Sequence, residues 1–188
     1  MSHLFKFVND LHLHAPNALD INNPFNPSNP REYYIGDNLD MTNCKKKDVQ
    51  KVQREINFWR DLYGYRFITG NHEAQRDSDT LVVVKQGVGV MHGDDIFWGR
   101  EKSLQYRRKE HGAGFLKRSL WVNALEAFEN GYDRKVSEED LVRFDSLCKH
   151  HGVPTIIVGH MHPKETFEIN RNGNKLIVLK RGENELCL

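Results

Sequence analysis

The chain lacks the long apolar runs that a membrane-spanning helix requires. Hydrophobic residues make up 38% of its 188 residues, and none of their runs approaches the roughly 20 residues needed to cross a bilayer. The N-terminal stretch from Met1 to Val8 also lacks the apolar core and the small-residue cleavage site of a secretory signal peptide. We therefore expect neither a membrane span nor a cleaved leader.

The chain also lacks an excess of either charge, and it has few cysteines. The 27 Lys and Arg residues nearly balance the 26 Asp and Glu residues, and the net charge of +1 excludes a strongly polyanion-seeking protein or one with an acidic tail. Cys44, Cys148 and Cys187 are far apart and form no Cys-x-x-Cys pair, which excludes a disulfide framework and a zinc knuckle. A cytoplasmic, thiol-reducing setting is the simplest expectation.

Histidine, in contrast, is abundant, with ten residues, and its placement relative to predicted strands is informative. Short runs rich in Val, Ile, Phe and Tyr predict buried strands. The runs are Leu4–Val8, Tyr33–Ile35, Tyr65–Ile68, Leu81–Met91 (interrupted by Gly87 and Gly89) and Thr155–Val158. A further pair, Glu165–Ile169 and Lys175–Lys180, flanks Asn172-Gly173, which is a hairpin signal.

Helical periodicity fills the intervals between these strands. Apolar residues recur at helical spacing from Lys45 to Tyr63, and Gly64 follows as a plausible end of that helix. Ser137 precedes three acidic residues and predicts the start of a helix that stops near Gly152. The alternation of strands and helices indicates an α/β fold. A third apolar stripe consists of Leu116, Leu120, Ala124 and Phe128.

Two segments are irregular in the sequence. Ala15 to Arg31 contains four of the six prolines and predicts a long loop. Asp95 to Arg118 is strongly basic, and two interpretations of it stay open: a solvated helix face, or a cap that binds a second phosphate or a nucleic-acid backbone. The candidates for substrate contact are Arg100, Arg107, Arg108 and His14. His14 is equally well explained as a polar loop residue.

Metal-binding residue types follow five of the predicted strands. The blocks are NDLH at 9–12, GDNLD at 36–40, GNHE at 70–73, HGD at 92–94 and GHMH at 159–162. Residues just beyond the carboxyl ends of strands tend to converge on one crevice in α/β sheets. Glycine beside such residues allows a sharp turn and a close backbone approach.

These blocks resemble those of the calcineurin-like metallophosphoesterase superfamily, which are D-x-H, G-D-x-x-[DE], G-N-H-[DE], a His block and G-H-x-H. The similarity extends from Asp10 to His162. It implies an α/β fold of the four-layer α/β/β/α type, with two mixed sheets. We expect a single domain over residues 1–188, with a basic helical insertion at about 95–135.

The resemblance also implies a binuclear metal centre. One ion would be held by Asp10, His12 and His162, and the second by Asn71, His92 and His160, with Asp37 bridging the two. This N/O ligand set without thiolate suits Mn²⁺, Fe, Zn²⁺ or Ni²⁺, and we expect Mn²⁺. Because two divalent ions would exceed the charge of the two carboxylates, the centre would attract a phosphoryl group.

Further roles follow from the same resemblance. His72 would stabilise or protonate the departing oxygen, with Asp37 as the second catalytic residue. Asp40, Glu73 and Asp94 are expected to orient ligand histidines rather than to bind the ions. Four of the other histidines are interpreted as incidental: His150 and His151 at a helix end, and His3 and His111 on the surface.

The expected reaction is hydrolysis of a phosphodiester or phosphomonoester by a hydroxide that bridges the ions, with a nucleotide-like substrate favoured. The alternatives are a nuclease acting on single-stranded nucleic acid and a non-catalytic scaffold that binds a partner. Protein Ser/Thr phosphatases have Arg-Gly after the acidic residue of the second block. This chain has Leu39-Asp40-Met41-Thr42 there, which disfavours that branch of the family. The helical insertion is similar to that of UDP-diacylglucosamine hydrolases, but His72 stands where those enzymes have Arg, which disfavours a lipid substrate.

Overall fold

Strands dominate the part of the chain that surrounds the candidate site. The computed structural model describes residues 3–14, 18, 25, 28–41, 44–73, 81–105 and 135–188. Nine strands lie within these ranges. In chain order they are β1 (Leu4–Asn9), β2 (Glu32–Ile35), β3 (Phe67–Ile68), β4 (Val82–Lys85), β5 (Val88–Met91), β6 (Thr155–Val158), β7 (Phe167–Arg171), β8 (Asn174–Val178) and β9 (Gly182–Cys187).

The strands form two mixed sheets. The first sheet has the order β3-β2-β1-β9, in which β1, β2 and β3 are parallel and β9 is antiparallel to β1. The second sheet has the order β4-β5-β6-β8-β7, with β5, β6 and β8 parallel and β4 and β7 antiparallel at its edges. In each sheet, the parallel strands direct their carboxyl ends to one edge.

Two long helices cover the outer faces of the sheets. Helix α1 (Val49–Tyr63) follows a 3-10 turn at Lys46–Asp48 and buries Val52, Ile56 and Tyr63. A short helix, α2 (Asp94–Phe97), follows β5, and residues 100–105 are also helical. Helix α3 (Glu138–His151) precedes β6.

The start of α3 confirms the capping signal in the sequence. The Ser137 hydroxyl accepts a hydrogen bond from the Asp140 backbone N–H, and the Asp140 carboxylate accepts one from the Ser137 backbone N–H. This reciprocal capping box satisfies two backbone donors of the first turn. The helix ends at Gly152, whose φ of +66° is the left-handed conformation usual after a helix C-terminus.

Three apolar clusters define four layers. The inner cluster joins Phe7 and Ile35 of the first sheet to Ile157 and Ile177 of the second. A second cluster packs the first sheet against α1, and a third packs the second sheet against α2 and α3. The layer order is therefore α/β/β/α, which confirms the expected sandwich of two mixed sheets.

Several strand boundaries differ from the sequence prediction. The run from Leu81 to Met91 is a hairpin, β4–β5, because Gly87 with φ +76° turns the chain. Tyr65 lies in a 3-10 turn (Gly64–Arg66) rather than in β3. Strand β9 was not predicted at all, because its buried positions carry Gly182 and Asn184 instead of apolar residues.

The hairpin of β7 and β8 is confirmed at Asn172-Gly173, where both residues have positive φ, as a type I′ turn requires. Asp145 of α3 fixes this hairpin by accepting hydrogen bonds from Arg171, Asn172 and Asn174. Arg171 also forms an ion pair with Glu138. These contacts attach the second sheet to α3.

Several expectations lie outside the described residues. They are the apolar stripe Leu116, Leu120, Ala124 and Phe128, most of the insertion at about 95–135, His111, and the larger part of the loop Ala15–Arg31. Within the described ranges, no helix is long and apolar enough to cross a membrane.

The cysteines give a simple test of the packing. Cys44 and Cys148 are buried and Cys187 is exposed, and burial raises the pKa of Cys148 to about 11. Because the thiolate is the reactive form, we expect one thiol per folded chain to react with iodoacetamide at pH 8 and all three to react in guanidinium. Rapid reaction of Cys148 in the folded protein would contradict this packing.

Candidate metal centre

The five sequence blocks meet at the carboxyl ends of the parallel strands. Backbone hydrogen bonds join them: Asp10 N donates to Gly36 O (3.1 Å), His12 N donates to Asp37 O (2.8 Å) and Gly159 N donates to His92 O (3.0 Å). The first two contacts lie within the first sheet and the third lies within the second. The two sheets meet at Asp10, whose Oδ2 accepts a hydrogen bond from His160 N (3.0 Å).

The backbone is strained where the candidate ligands lie. Five of the seven have φ between +48° and +67°, a region that side chains other than Gly rarely occupy. Such conformations persist where the surrounding structure holds them, and they cluster at functional sites. The five residues are Asp10, His12, Asp37, His160 and His162.

Two glycines of the blocks make room for ligands that belong to other blocks. A Cβ atom on Gly36 would overlap the His92 imidazole, and one on Gly70 would overlap the carboxylate and backbone nitrogen of Asp37. Gly36 also has a positive φ of +65°. These two glycines therefore allow a close approach between strand ends, as the sequence predicts for this type of residue.

Asp10, His12 and His162 form one group of facing donor atoms. The distance from Asp10 Oδ1 to His162 Nε2 is 3.1 Å. His12 Nδ1 lies 3.1 Å from Asp40 Oδ2, so its proton belongs on Nδ1 and the Nε2 lone pair faces the group. Among the described residues, buried His12 Nε2 has no hydrogen-bond partner, and buried Asp10 Oδ1 has none beyond its contact with His162.

Asp37, His92 and His160 form a second group, which Asn71 joins. Three atoms surround His92 Nε2: Asn71 Oδ1 at 3.2 Å, Asp37 Oδ2 at 3.2 Å and His160 Nδ1 at 3.1 Å. His92 Nδ1 lies 3.5 Å from Ile35 O, which is the contact expected of a protonated Nδ1. Nε2 then faces the other three atoms, and it offers them a lone pair when the ring is neutral.

The chemistry of these donor atoms fits divalent ions. A single proton on His92 Nε2 can satisfy only one of the three surrounding atoms, and Asn71 Oδ1 and Asp37 Oδ2 are acceptors only. A divalent cation, in contrast, can bind several such nitrogen and oxygen atoms at once. The donor set consists of imidazole nitrogens and carboxylate or amide oxygens, which suits first-row divalent metals.

Asp40 links His12 to His72. Its Oδ2 lies 3.1 Å from His12 Nδ1 and 3.4 Å from His72 Nδ1. His72 Nε2 is 4.0 Å from Asp37 Oδ2, and the His72 backbone N–H donates to Asp37 Oδ1 (2.8 Å). One carboxylate thus sets the orientation of two imidazoles on the same side of the centre.

The contacts of Glu73 differ from the expectation that it orients a histidine. The Glu73 carboxylate accepts backbone N–H groups of Asp37 (3.1 Å), Asn38 (2.9 Å), Leu39 (2.8 Å) and Gly70 (3.0 Å). It therefore fixes the loop that carries Asp37 rather than orienting a histidine, because it faces that loop's amide groups. Asp94 accepts a hydrogen bond from the Ser103 hydroxyl, and its charge acts on His92.

The electrostatics of the centre favour added positive charge. Burial opposes a charged His92, yet the carboxylates of Asp37, Asp10 and Asp94 raise the pKa of His92 well above its usual value. Burial also opposes a charged Asp37, but His92 and His72 lower the pKa of Asp37 well below its usual range. Burial and the charge of His92 lower the pKa of His160 to about 3, so His160 is neutral and able to act as a ligand.

Adding Mn²⁺ to metal-free protein should raise the Tm, and more so at pH 8 than at pH 6. An ion would displace the proton of His92, whose pKa is raised, so metal affinity falls as protons compete at lower pH. Free Mn²⁺ at about 100 times Kd adds about 2.7 kcal/mol to the free energy of unfolding. For a chain of this length, that increase raises the Tm by about 5–10 °C. Differential scanning fluorimetry checks this, and a Tm that ignores Mn²⁺ at both pH values would contradict the site.

The remaining candidates lie apart from these two groups. His14 Nε2 pairs with Glu55 of α1 at 2.9 Å. Arg100 is exposed at the start of the 100–105 helical segment, whereas Arg107 and Arg108 lie outside the described residues. His150 and His151 lie in the last turn of α3, as expected.

Three contacts around Asp10 were missed by sequence reasoning. Asn9 donates to Asp10 Oδ2, Asn184 donates to Asn9, and Arg181 donates to the Asp10 backbone carbonyl. Asn9 lies inside the first block, directly before Asp10, so its position in the sequence could have indicated this contact. Arg181 and Asn184 carry no local signal, because only the pairing of β9 with β1 brings them to Asp10.

Solved structures that match this chain share little of its sequence. Vacuolar protein sorting 29 from Cryptosporidium parvum is 11% identical with a TM-score of 0.45, and the match covers 96% of this chain and 75% of that one. A cold-active protein-tyrosine phosphatase from a psychrophilic Shewanella species is 15% identical, with a TM-score of 0.45 and coverage of 97% and 75%. A dimetal phosphatase from Danio rerio is 11% identical, with a TM-score of 0.43 and coverage of 98% and 92%.

A search of curated proteins found no significant relative. The family model for calcineurin-like phosphoesterases, in contrast, matches residues 3–164. That region includes all five blocks and most of both sheets. The chain therefore belongs to the calcineurin-like phosphoesterase family.

Proposed function

We propose that this chain is a hydrolase that cleaves phosphoester bonds with two divalent ions, of which Mn²⁺ is the first candidate. The observation that carries the proposal is the convergence of buried imidazole nitrogens and carboxylate or amide oxygens from five separate segments of the chain. Among the described residues, His12 Nε2 has no hydrogen-bond partner and Asp10 Oδ1 has none beyond its contact with His162 Nε2. Asn71 Oδ1, Asp37 Oδ2 and His160 Nδ1 lie within 3.2 Å of His92 Nε2. The proposed ligands are Asp10, His12, Asp37, Asn71, His92, His160 and His162.

When bound, two such ions supply Lewis acidity and a net positive charge for a phosphoryl group. The residues around the proposed ligands would keep those ligands, and therefore the ions, in fixed positions. Asp40 keeps the proton of His12 on Nδ1, and Ile35 O does the same for His92. Glu73 fixes the backbone around Asp37. Such outer contacts orient ligands and increase their basicity.

His72 is the proposed general acid. Its Nδ1 faces Asp40, and its Nε2 faces the centre at 4.0 Å from Asp37 Oδ2. Asp40 stabilises a proton on the ring, and Nε2 is the atom from which a proton can reach a departing oxygen. The Asp40–His72 pair thus combines orientation of the ring with stabilisation of its charged form.

The proposed substrate is a phosphodiester or phosphomonoester, with a nucleotide-like group favoured. The basic residues that begin at Arg100 motivate this choice, because they follow Asp94 of the fourth block closely in the sequence. An anionic or nucleotide extension of the substrate is the kind of group that a basic segment attracts. A cytoplasmic setting is proposed from the three free thiols.

The test is a substrate panel on metal-free protein reloaded with Mn²⁺. Aryl phosphomonoesters, aryl phosphodiesters, mononucleotides, cyclic nucleotides and single-stranded oligonucleotides are compared at equal protein concentration. We expect hydrolysis of at least one small phosphoester. Cleavage confined to oligonucleotides would support a nuclease instead. Absence of any hydrolysis, despite two bound ions, would support the non-catalytic scaffold.

A further inference from the structure

Strand β9 lies next to β1 although the two are far apart in the sequence. The antiparallel register places Asn9 opposite Gly182 and Phe7 opposite Asn184. The whole of β9 follows residue 164, where the match to the family model ends. This strand therefore brings residues from outside the matched region to the strand end that carries Asp10.

A directed chain of hydrogen bonds runs from this region to Asp10. Lys180 N donates to Thr166 Oγ1 (3.0 Å), and the Thr166 hydroxyl donates to Asn184 Oδ1 (2.6 Å). Asn184 Nδ2 donates to Asn9 Oδ1 (3.1 Å), and Asn9 Nδ2 donates to Asp10 Oδ2. Asn184 Nδ2 faces the backbone carbonyls of Lys180 and Gly182, which only accept, so Asn184 Oδ1 is the atom that faces the Thr166 hydroxyl and that hydroxyl donates.

These hydrogen bonds determine which oxygen of Asp10 faces the candidate ligands. Oδ2 accepts hydrogen bonds from Asn9 Nδ2 and from His160 N. Oδ1 is left facing His162 Nε2. Asn9 and Asp10 have no solvent exposure, and Asn184 is only 6% exposed, so water does not easily replace a missing member.

Arg181 acts on the backbone of the same residue. Its Nε donates to Asp10 O (2.6 Å) and its Nη2 donates to Leu11 O (3.3 Å). Asp10 has a φ of +54°, a conformation that the neighbouring structure must hold. A guanidinium bound to two successive carbonyls restrains this turn.

We propose that Asn184 and Arg181 are positioning residues for the ion that Asp10 holds, so that the C-terminal strand completes the metal centre. This inference rests on the proposed function, because it requires that Asp10 is a metal ligand. Asn184 orients the carboxylate through Asn9, and Arg181 holds the backbone turn. Neither residue is among the seven proposed ligands.

Asn184 also donates to Lys180 O (2.9 Å) and Gly182 O (3.2 Å), contacts that support the local turn alone. A purely local role and a role at Asp10 predict different couplings. If Asn184 acts through Asn9, the effects of Asn184→Leu and Asn9→Leu on Mn²⁺ affinity should not add, since either substitution breaks the same chain. If the role is local, the two effects should add.

The experiment titrates the metal-free 188-residue chain with Mn²⁺ by isothermal calorimetry, for the wild type, both single variants and the double variant. Asn174→Leu is the matched control, because Asn174 donates to Asp145 of α3 instead. We expect Asn184→Leu to weaken one of the two ions by about 10–100-fold, with the other unchanged. The double variant should match the weaker single variant, and Asn174→Leu should match the wild type.

Arg181→Gln provides a second route should Asn184→Leu not fold by circular dichroism. Its control is Arg171→Gln, which removes ion pairs to Glu138 and Asp145. Arg181→Gln should weaken the same single ion, whereas Arg171→Gln should alter only the Tm. Wild-type affinities for both ions in the Asn184 and Arg181 variants, or additive losses, would overturn the inference alone. A wild type that binds no Mn²⁺ would overturn the proposed function and this inference with it.

Discussion

Asp37→Asn is expected to lower kcat by at least about 10³-fold and to reduce the number of tightly bound ions from two to at most one. The loss should exceed the 10–100-fold typical of outer partners of a metal site, because Asp37 is the proposed bridge between both ions. The two oxygens of its carboxylate also contact different groups, a backbone N–H and an imidazole. Oδ1 accepts the His72 backbone N–H, and Oδ2 faces His92 Nε2.

The geometry determines how the asparagine would sit. The hydrogen bond from His72 N at 2.8 Å keeps an oxygen at the Oδ1 position. The amide nitrogen then replaces Oδ2, 3.2 Å from His92 Nε2, and directs two protons to the place where a cation is proposed. The substitution therefore preserves size and one hydrogen bond while it reverses the polarity at the bridge.

The measurements are kcat on an aryl phosphoester and metal content after gel filtration. Asp145→Asn is the control, since Asp145 is a carboxylate of α3 that bonds Arg171, Asn172 and Asn174. It should retain wild-type kcat and two ions. Full activity in Asp37→Asn, with its fold intact, would refute the assignment of this residue.

His72→Ala is expected to lower kcat by about 10²–10⁴-fold, the range of general acid–base catalysis, with both ions retained. The substitution removes the imidazole that faces Asp40 and Asp37. It keeps the backbone N–H that binds Asp37 Oδ1, so the proposed bridge should stay in place. Metal content and turnover therefore separate in this variant.

Leaving groups distinguish an acid from a residue that only orients its neighbours. A nitrophenolate departs without protonation, whereas an alkoxide requires a proton. We expect the loss in His72→Ala to be larger for an alkyl phosphoester than for a nitrophenyl one. His150→Ala in the last turn of α3 is the control and should match the wild type. Equal losses for both leaving groups, or loss of metal, would assign His72 a structural role.

The sequence predicted those elements that depend on local sequence features, such as an apolar run or a helix cap. The apolar runs that became β1, β2 and β6 have core residues such as Phe7 and Ile157 at their centres, and burial of such side chains needs no knowledge of their partners. The helix start at Ser137 was likewise local, because a capping box lies within four residues. The blocks of candidate ligands were recognisable because each follows its own strand.

The missed features depend on which strands are neighbours. Strand β9 buries Asn184, a polar residue whose burial is possible only because Asn9 and Thr166 bond it. Arg181 reaches Asp10 because β9 pairs with β1. Glu73 was assigned to the correct neighbourhood but the wrong partner, because a carboxylate can bind an imidazole or backbone N–H groups. Its choice depends on how the loop after β2 folds over it.

The most direct test of the account is the rate of phosphoester hydrolysis as Mn²⁺ is added stepwise to metal-free protein. Two ions acting together predict no hydrolysis without metal, little after the first equivalent and a steep rise that levels off at two equivalents per chain. Hydrolysis that is unaffected by metal removal, or that saturates at one equivalent, would contradict a binuclear centre formed by the seven side chains.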